Sequence, residues 1–342
     1  MIAPVTIAFG STRRILGRRV LPLAKALAKA LAKALALPLT LLLLLAPVLD
    51  GCSTGGDART VSAAARLEFN ADSAMSYVRQ QLAFGPRVPG TPGWQQTGDW
   101  IVTRLQATAD QVTEQKWTHT LASGQKIPLR NIFARFRPDA TERILYVAHW
   151  DTRPRADSDP DPANHDKPIP GANDGASGVA LLLAVADALK KAPPSAGVDL
   201  LFVDGEDYGT FGPDVDVLLG STYFASHLPT PEYRPLFGVV WDMIGDADLN
   251  IPQEMYSAQK APEVVQRVWA KAKELGYEEY FLPDMRTYTI TDDHYPLLAA
   301  GLRVIDVIDL DYNVHHAMGD DISRVSARSL QIVGDVAMAL LR

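Results

Sequence analysis

Carboxylates and imidazoles stand at the ends of apolar runs in this chain. His149 and Asp151 close RILYVAHW, and Asp174 immediately precedes GASGVALLLAVADALKKA. Glu206 and Asp207 follow VDLLFVDG, Asp242 ends FGVVWD, and Asp293 lies in TDDHYP. His315 and His316 come after LRVIDVIDL. Imidazole nitrogen and carboxylate oxygen are ligands for zinc, which leaves one position open when the site is catalytic. No basic residue in this set partners the acids, so without a cation their convergence would be repulsive and costly to desolvate. A single cysteine, Cys52, excludes a thiolate site. Each residue also has a plainer role. His149 could be a buried hydrogen-bonded histidine, Asp174 a helix N-cap, Glu206-Asp207 a solvated turn and Asp293 a surface turn. Asp242, inside an apolar run, needs a function or a strong partner. Spacing does not choose between His315 and His316. His119, His165 and His227 read as surface residues, and the acidic run Asp157–Asp166 as a solvated loop rather than a calcium site.

The elements that must position these groups alternate. Apolar β-prone runs cover Arg143–Trp150, Val198–Gly205, Phe237–Gly245 and Leu302–Leu310. Helical patterns cover Ala71–Leu82, Gln95–Ala109, Gly175–Ala192, Ser221–Leu228, Ala261–Gly276 and Ser326–Leu341. In the third of these, Val179, Leu182, Leu183, Ala186 and Leu189 fall on one face. FGPRVPGTPG, Phe84–Gly93, is too turn-rich to be helical. Alternation of this kind predicts one α/β domain of three layers, a mostly parallel twisted sheet with helices on both faces. Ligands bind such sheets beyond the carboxyl ends of the strands, where the residues above fall.

The amino terminus is of another kind. Seven basic residues precede Asp50, and the apolar run LALPLTLLLLLAPVL ends in LDGC at Cys52. With two prolines and fewer than the roughly 20 apolar residues of a membrane-spanning helix, the run reads as a secretory signal. LDGC resembles a bacterial lipoprotein signal, although Asp50 stands where a small or apolar residue is usual. The expected organisation is a signal peptide over 1–51, a flexible tether over 52–69 and a catalytic domain over 70–342. The expected location is the periplasmic side of the cell envelope, at the outer membrane, held only by acyl chains on Cys52. From Cys52 onward the chain has 26 basic against 39 acidic side chains, a net of −13, which argues against nucleic acid as a partner.

The segments FGPRVPGTPGW, LRNIFARF, AHWDTRP, DPDPANHDKPIPGANDGASGVA, DGEDYGTFG, LLGSTYFA, WDMIGD, ITDDHYP and HHAMGDD follow in that order. Through them the chain resembles the zinc aminopeptidase and glutaminyl cyclase superfamily, and within it the bacterial glutaminyl cyclases, over nearly all of residues 70–342. The resemblance implies Asp174, Asp207 and His316 as ligands of one zinc, with Glu206 as general base and acid. Asp242 and Asp293 would be hydrogen-bonding carboxylates beside it. His149 and Asp242 stand where the aminopeptidases hold a second zinc. The thirteen residues Tyr208–Gly220 and the Asp292-Asp293-His294 triplet resemble the cyclases. The chain departs from the pattern in having Asp207 where Glu is common. It departs again in having His315 where cyclases place a tryptophan of the substrate pocket. The implied activity is cyclisation of amino-terminal glutamine on peptides or proteins, by a monomer. The alternatives are a two-zinc aminopeptidase and a catalytically silent binding protein, against which the intact Glu206 counts.

Overall fold

The computed structural model describes residues 67–342. The segments expected to be a signal peptide, a lipidated Cys52 and most of a tether lie outside the described residues. Two helices come first, α1 (Ala71–Ala83) and α2 (Pro92–Thr108), each opened by a side-chain cap: Asn70 Oδ1 accepts from Ser73 N–H at 2.8 Å, and Thr91 Oγ1 from Trp94 N–H at 3.4 Å. Capping supplies a partner for an otherwise orphaned amide. Helix α2 begins at Pro92, inside the Phe84–Gly93 stretch whose turn-rich sequence predicts no helix. Pro92 sits in the first helical turn, where its missing N–H costs nothing.

A hairpin, β1 (Gln111–Thr120) and β2 (Lys126–Phe136), then leads to β3 (Arg143–His149), α3 (Ala176–Lys191) and β4 (Gly197–Val203). After these come α4 (Leu219–Ser226), β5 (Phe237–Asp242), β6 (Ile251–Gln253), α5 (Met255–Lys260), α6 (Pro262–Glu274) and β7 (Phe281–Met285). The last elements are α7 (His294–Ala299), β8 (Val304–Ile308) and α8 (Ala327–Ala339). The main sheet has the order β1-β2-β4-β3-β5-β8. Its four central and far strands, β4, β3, β5 and β8, run parallel, as expected. The hairpin, which the alternation did not reveal, pairs antiparallel at one edge.

Both faces of the sheet are covered. Tyr146, Ala148, Leu200 and Phe202 point into a core shared with α1, α2, α3, α6 and α8, while Leu145, Val147, Leu201 and Val203 meet Phe224 of α4 and Leu297 of α7. Helix α3 is buried almost all round, rather than on one face as its pattern suggested, because α1 and α8 cover its outer side. A helix apolar on every side belongs in such a middle position, and truncating Leu182 or Leu183 to Ala would cost about 2–5 kcal/mol. The packed core reaches back to Leu67 and Phe69, within the segment read as tether. The Phe69 ring lies so close to Gly334 of α8 that a Cβ there would sit 2.2 Å from Cδ1.

Candidate active site

Parallel strands deliver their carboxyl ends to one rim, and the residues named from the sequence collect there. His149 is the last residue of β3 and pairs in register with Val203 of β4, after which the chain turns to Glu206 and Asp207. Asp242 is the last residue of β5, opposite Ile308 of β8. Asp174 arrives on the loop before α3. It does not act as the N-cap: Gly175 occupies that position with no side-chain cap bond, at φ 87°.

The side chains lie within direct contact of one another. His149 Nε2 lies 3.1 Å from Asp242 Oδ1 and 3.2 Å from Asp174 Oδ1. His316 Nε2 lies 3.2 Å from Asp207 Oδ1 and 3.7 Å from Asp174 Oδ2. Two sets, His149/Asp174/Asp242 and Asp174/His315/His316, each bring ligand atoms within 4.8 Å of one another, with Asp174 common to both. His315 is thus also near Asp174, but the contact with Asp207 belongs to His316. The two rings lie 3.6 Å apart, and burial with the adjacent His316 charge pushes His315 down to about 4.

His149 Nδ1, Asp174 Oδ2 and Asp207 Oδ2 are buried without hydrogen-bond partners. Buried polar atoms are seldom left so. The two sets joined at Asp174 fit a divalent cation, whereas Asp207 stands in neither and meets them only through His316. Burial alone would raise the Asp174 carboxyl, but its hydrogen bond to His149 and the charges of His149 and His316 hold it below the ordinary range.

Two cations not anticipated from the sequence lie at the site, and the first of them corrects the premise that the acids lack a basic partner. Arg153, from the WDTRP segment, donates from Nη1 to Asp207 Oδ1 at 2.8 Å and from Nη2 to Asp157 Oδ2 at 2.6 Å. Arg87, fully buried, donates to the carbonyls of Pro170 and Gly171 at 2.5 and 2.6 Å, beneath the Asp174 loop. Against these stand Asp151, Asp174, Glu206, Asp207, Asp242 and Asp292, all buried, so carboxyl groups outnumber the two guanidinium groups. The acidic loop is also less solvated than expected. Asp157 pairs with Arg153, and Asp159 accepts Met318 N–H at 2.8 Å, tying the loop to the turn that carries His316.

Glu206 faces the cluster across His149, with Oε2 3.8 Å from Nδ1. Its amide and that of Asp207 donate to the two oxygens of Asp151 at 3.1 and 3.2 Å, which fixes the pair. Burial holds the Glu206 carboxyl well above the ordinary range, helped by the negative charges of Asp207, Asp292 and Asp293 and opposed by His149. Burial likewise raises Asp242 to about 7, against the pull of His149.

A cleft of about 500 Å³ opens on these groups, walled by Glu206, Asp242, Asp292 and His315 with apolar side chains that include Phe211, Met243 and Ile290. Asp292, rather than Asp293, lines it. Asp293 is fully buried behind, with neither carboxylate oxygen hydrogen-bonded. Asp306, hidden within LRVIDVIDL, lies with Asp292 and His294 in a further buried group whose ligand atoms are within 4.8 Å. His227 is exposed, while His119 and His165 are half-buried, with ring nitrogens near Asp216 Oδ1 and the Asp159 carbonyl respectively.

A mixed α/β sheet with a His/Asp/Glu cluster at its carboxyl rim defines a zinc-exopeptidase type of protein. The family model described as Peptidase family M28 matches residues 131–341, and the chain belongs to that family. Among curated relatives, the glutaminyl-peptide cyclotransferase of Bos taurus is 27% identical over 273 residues, covering 69% of this chain and 72% of its own. The crystal structure of Bacteroides thetaiotaomicron glutaminyl cyclase superposes with a TM-score of 0.77 at 36% identity, covering 80% of this chain and 98% of that one. A Zn-dependent exopeptidase from Parabacteroides distasonis matches with the same score and coverage at 35% identity.

Proposed function

We propose that this chain is a glutaminyl-peptide cyclotransferase, turning the amino-terminal glutamine of peptides or proteins into pyroglutamate with release of ammonia. The observation that carries the reading is Glu206: a buried carboxyl, held protonatable, on the wall of a cleft beside the Asp174/Asp207/His316 set. Likeness to cyclases across kingdoms supports it. In the reaction the α-nitrogen attacks the γ-carbonyl carbon, the lactam C–N bond forms, and the bond to the amide nitrogen breaks. Asp174, Asp207 and His316 would hold zinc, which supplies Lewis-acid polarisation of the γ-carbonyl oxygen. Glu206 takes a proton from the attacking amine and delivers it to the departing ammonia. A carboxyl whose proton affinity burial has raised can take that proton and return it. Asp242 and Asp292 border the same space, the Asp292 charge adds to the raised proton affinity of Glu206, and Asp293 lies behind them. Phe211, Met243 and Ile290 pack the glutamine methylenes and exclude water, which would otherwise compete as nucleophile.

A second reading, a two-zinc aminopeptidase, is favoured by one observation: His149, Asp174 and Asp242 form a complete second ligand set. There Glu206 would deprotonate water instead of the substrate amine. Mass spectrometry of a peptide beginning with glutamine separates the two. A cyclase removes one ammonia and keeps every residue, whereas a peptidase removes the first residue. Either product must vanish in Glu206→Gln. The proposed setting is the cell envelope, where the export signal and lipid anchor read from the sequence would bring the enzyme to exported substrates.

A further inference from the structure

We infer that Asp320 and Asn173 form a clamp that holds three ligand-bearing segments in register and thereby sets the affinity for zinc; the inference rests on the zinc reading above. Asp320 is fully buried and lies outside the cleft. Its Oδ1 accepts the Asn173 N–H at 2.8 Å and the Tyr312 hydroxyl at 2.7 Å, and its Oδ2 accepts the Asp174 N–H at 3.1 Å. Its own carbonyl accepts the Ala172 N–H at 3.2 Å, so one residue binds three successive amides of the loop that presents Asp174. On its other side, the Asp320 N–H donates to the Ala317 carbonyl at 3.2 Å, within the turn that presents His316.

Asn173 extends the link to the third segment. Its Oδ1 accepts the Gly245 N–H at 2.7 Å and its Nδ2 donates to the Met243 carbonyl at 3.1 Å, directly after Asp242. Two residues of the segments joined in this way need outside support. Met243 and His316 have φ of 48° and 55°, the left-handed region that non-glycine residues seldom occupy. Without a clamp, like charges on Asp174, Asp207 and Asp242 would push the segments apart whenever metal is absent. Asp320 is therefore a positioning residue: it touches backbone amides, not the reacting atoms.

The carboxylate is specific to the task. Its oxygens only accept, and they meet three converging donors. An asparagine keeps one accepting oxygen and turns an N–H group toward another donor. Asp320→Asn in the full chain is expected to weaken zinc binding by about 10- to 100-fold, the usual effect of losing a group that orients metal ligands. The Kd is read by competition with a chromophoric chelator. The visible spectrum of the cobalt(II)-loaded variant should also change, which a loss of stability alone would not produce. Tyr312→Phe keeps both amide bonds and should weaken zinc less than Asp320→Asn does. A folded Asp320→Asn protein with native zinc affinity and a native cobalt spectrum would overturn the clamp. Should that variant not fold, Asn173→Ala is held to the same two readouts with the same consequence. Native protein that binds no zinc at all would remove the zinc reading, and the clamp with it.

Discussion

Arg153→Met removes the guanidinium that donates to Asp207 at 2.8 Å, while keeping most of the side chain's length. Asp207 is fully buried, so in metal-free protein its carboxylate is left with His316 alone. Breaking a buried pair by removing one partner costs about 3–5 kcal/mol. The lost contact to Asp157, whose side chain is 38% exposed, adds no more than about 1 kcal/mol. At roughly 2 °C per kcal/mol for a domain of this size, the melting temperature of the zinc-free protein should fall by about 6–12 °C. With zinc bound, Asp207 has a divalent counter-charge and no longer depends on Arg153. The same substitution then costs about 1 kcal/mol, the worth of the exposed pair. Closing the thermodynamic cycle leaves a difference of at least ~2 kcal/mol, which must appear as zinc binding about 30-fold tighter in the variant than in the native protein. Calorimetric melting with and without zinc gives the first two quantities, and a competition titration gives the third. Equal melting losses in both states, or zinc binding that is unchanged or weaker, would refute the assignment of Asp207 as a ligand that Arg153 shields.

Glu206→Gln should lower kcat by about 10²–10⁴-fold, the usual worth of a general acid–base group, with KM little changed. A loss under tenfold in steady-state ammonia release would speak against its role. Burial, with Asp246 and Asp311 nearby, raises Asp309 to about 7. Because the folded value lies above the unfolded one, folding favours the protonated form. The stabilisation is complete below about pH 4 and lost as pH rises through 7. Asp309→Asn keeps an oxygen to accept Asn250 N–H and should be more stable than the native protein at pH 8 by ~1–2 kcal/mol, a discounted part of ~1.4 kcal/mol per pK unit. Below about pH 4 the two should be alike, and urea unfolding that shows no difference at pH 8 would contradict this. Cys52→Ala should move the protein from the membrane to the soluble fraction of the cells that make it, and unchanged fractionation would remove the lipid anchor.

The parallel half of the fold was legible because its strands are apolar on both faces and its helices separate them. The edge hairpin was not. Strand β1, QVTEQKWTHT, is polar and half solvated along its whole length, so no apolar run betrays it. The ligand candidates were legible because acids and histidines after apolar strands are chemically conspicuous. What surrounds them was less so. Arg153 and Arg87 approach the site from loops, and their partners are set by folding rather than by spacing. Asp320 looks like a surface acid in HHAMGDD until the turn folds it under Asp174. Asp292 and Asp293 are neighbours in sequence, and only the backbone decides which of them faces the cleft.

The claim beneath all of this is that Asp174, Asp207 and His316 share one cation. Crystals of the zinc-loaded protein, measured on either side of the zinc absorption edge, test it most directly. An anomalous peak is expected within about 2.0–2.2 Å of a nitrogen of His316 and carboxylate oxygens of Asp174 and Asp207, the ordinary zinc–ligand distances. Zinc-soaked crystals with no peak among those three side chains would contradict it.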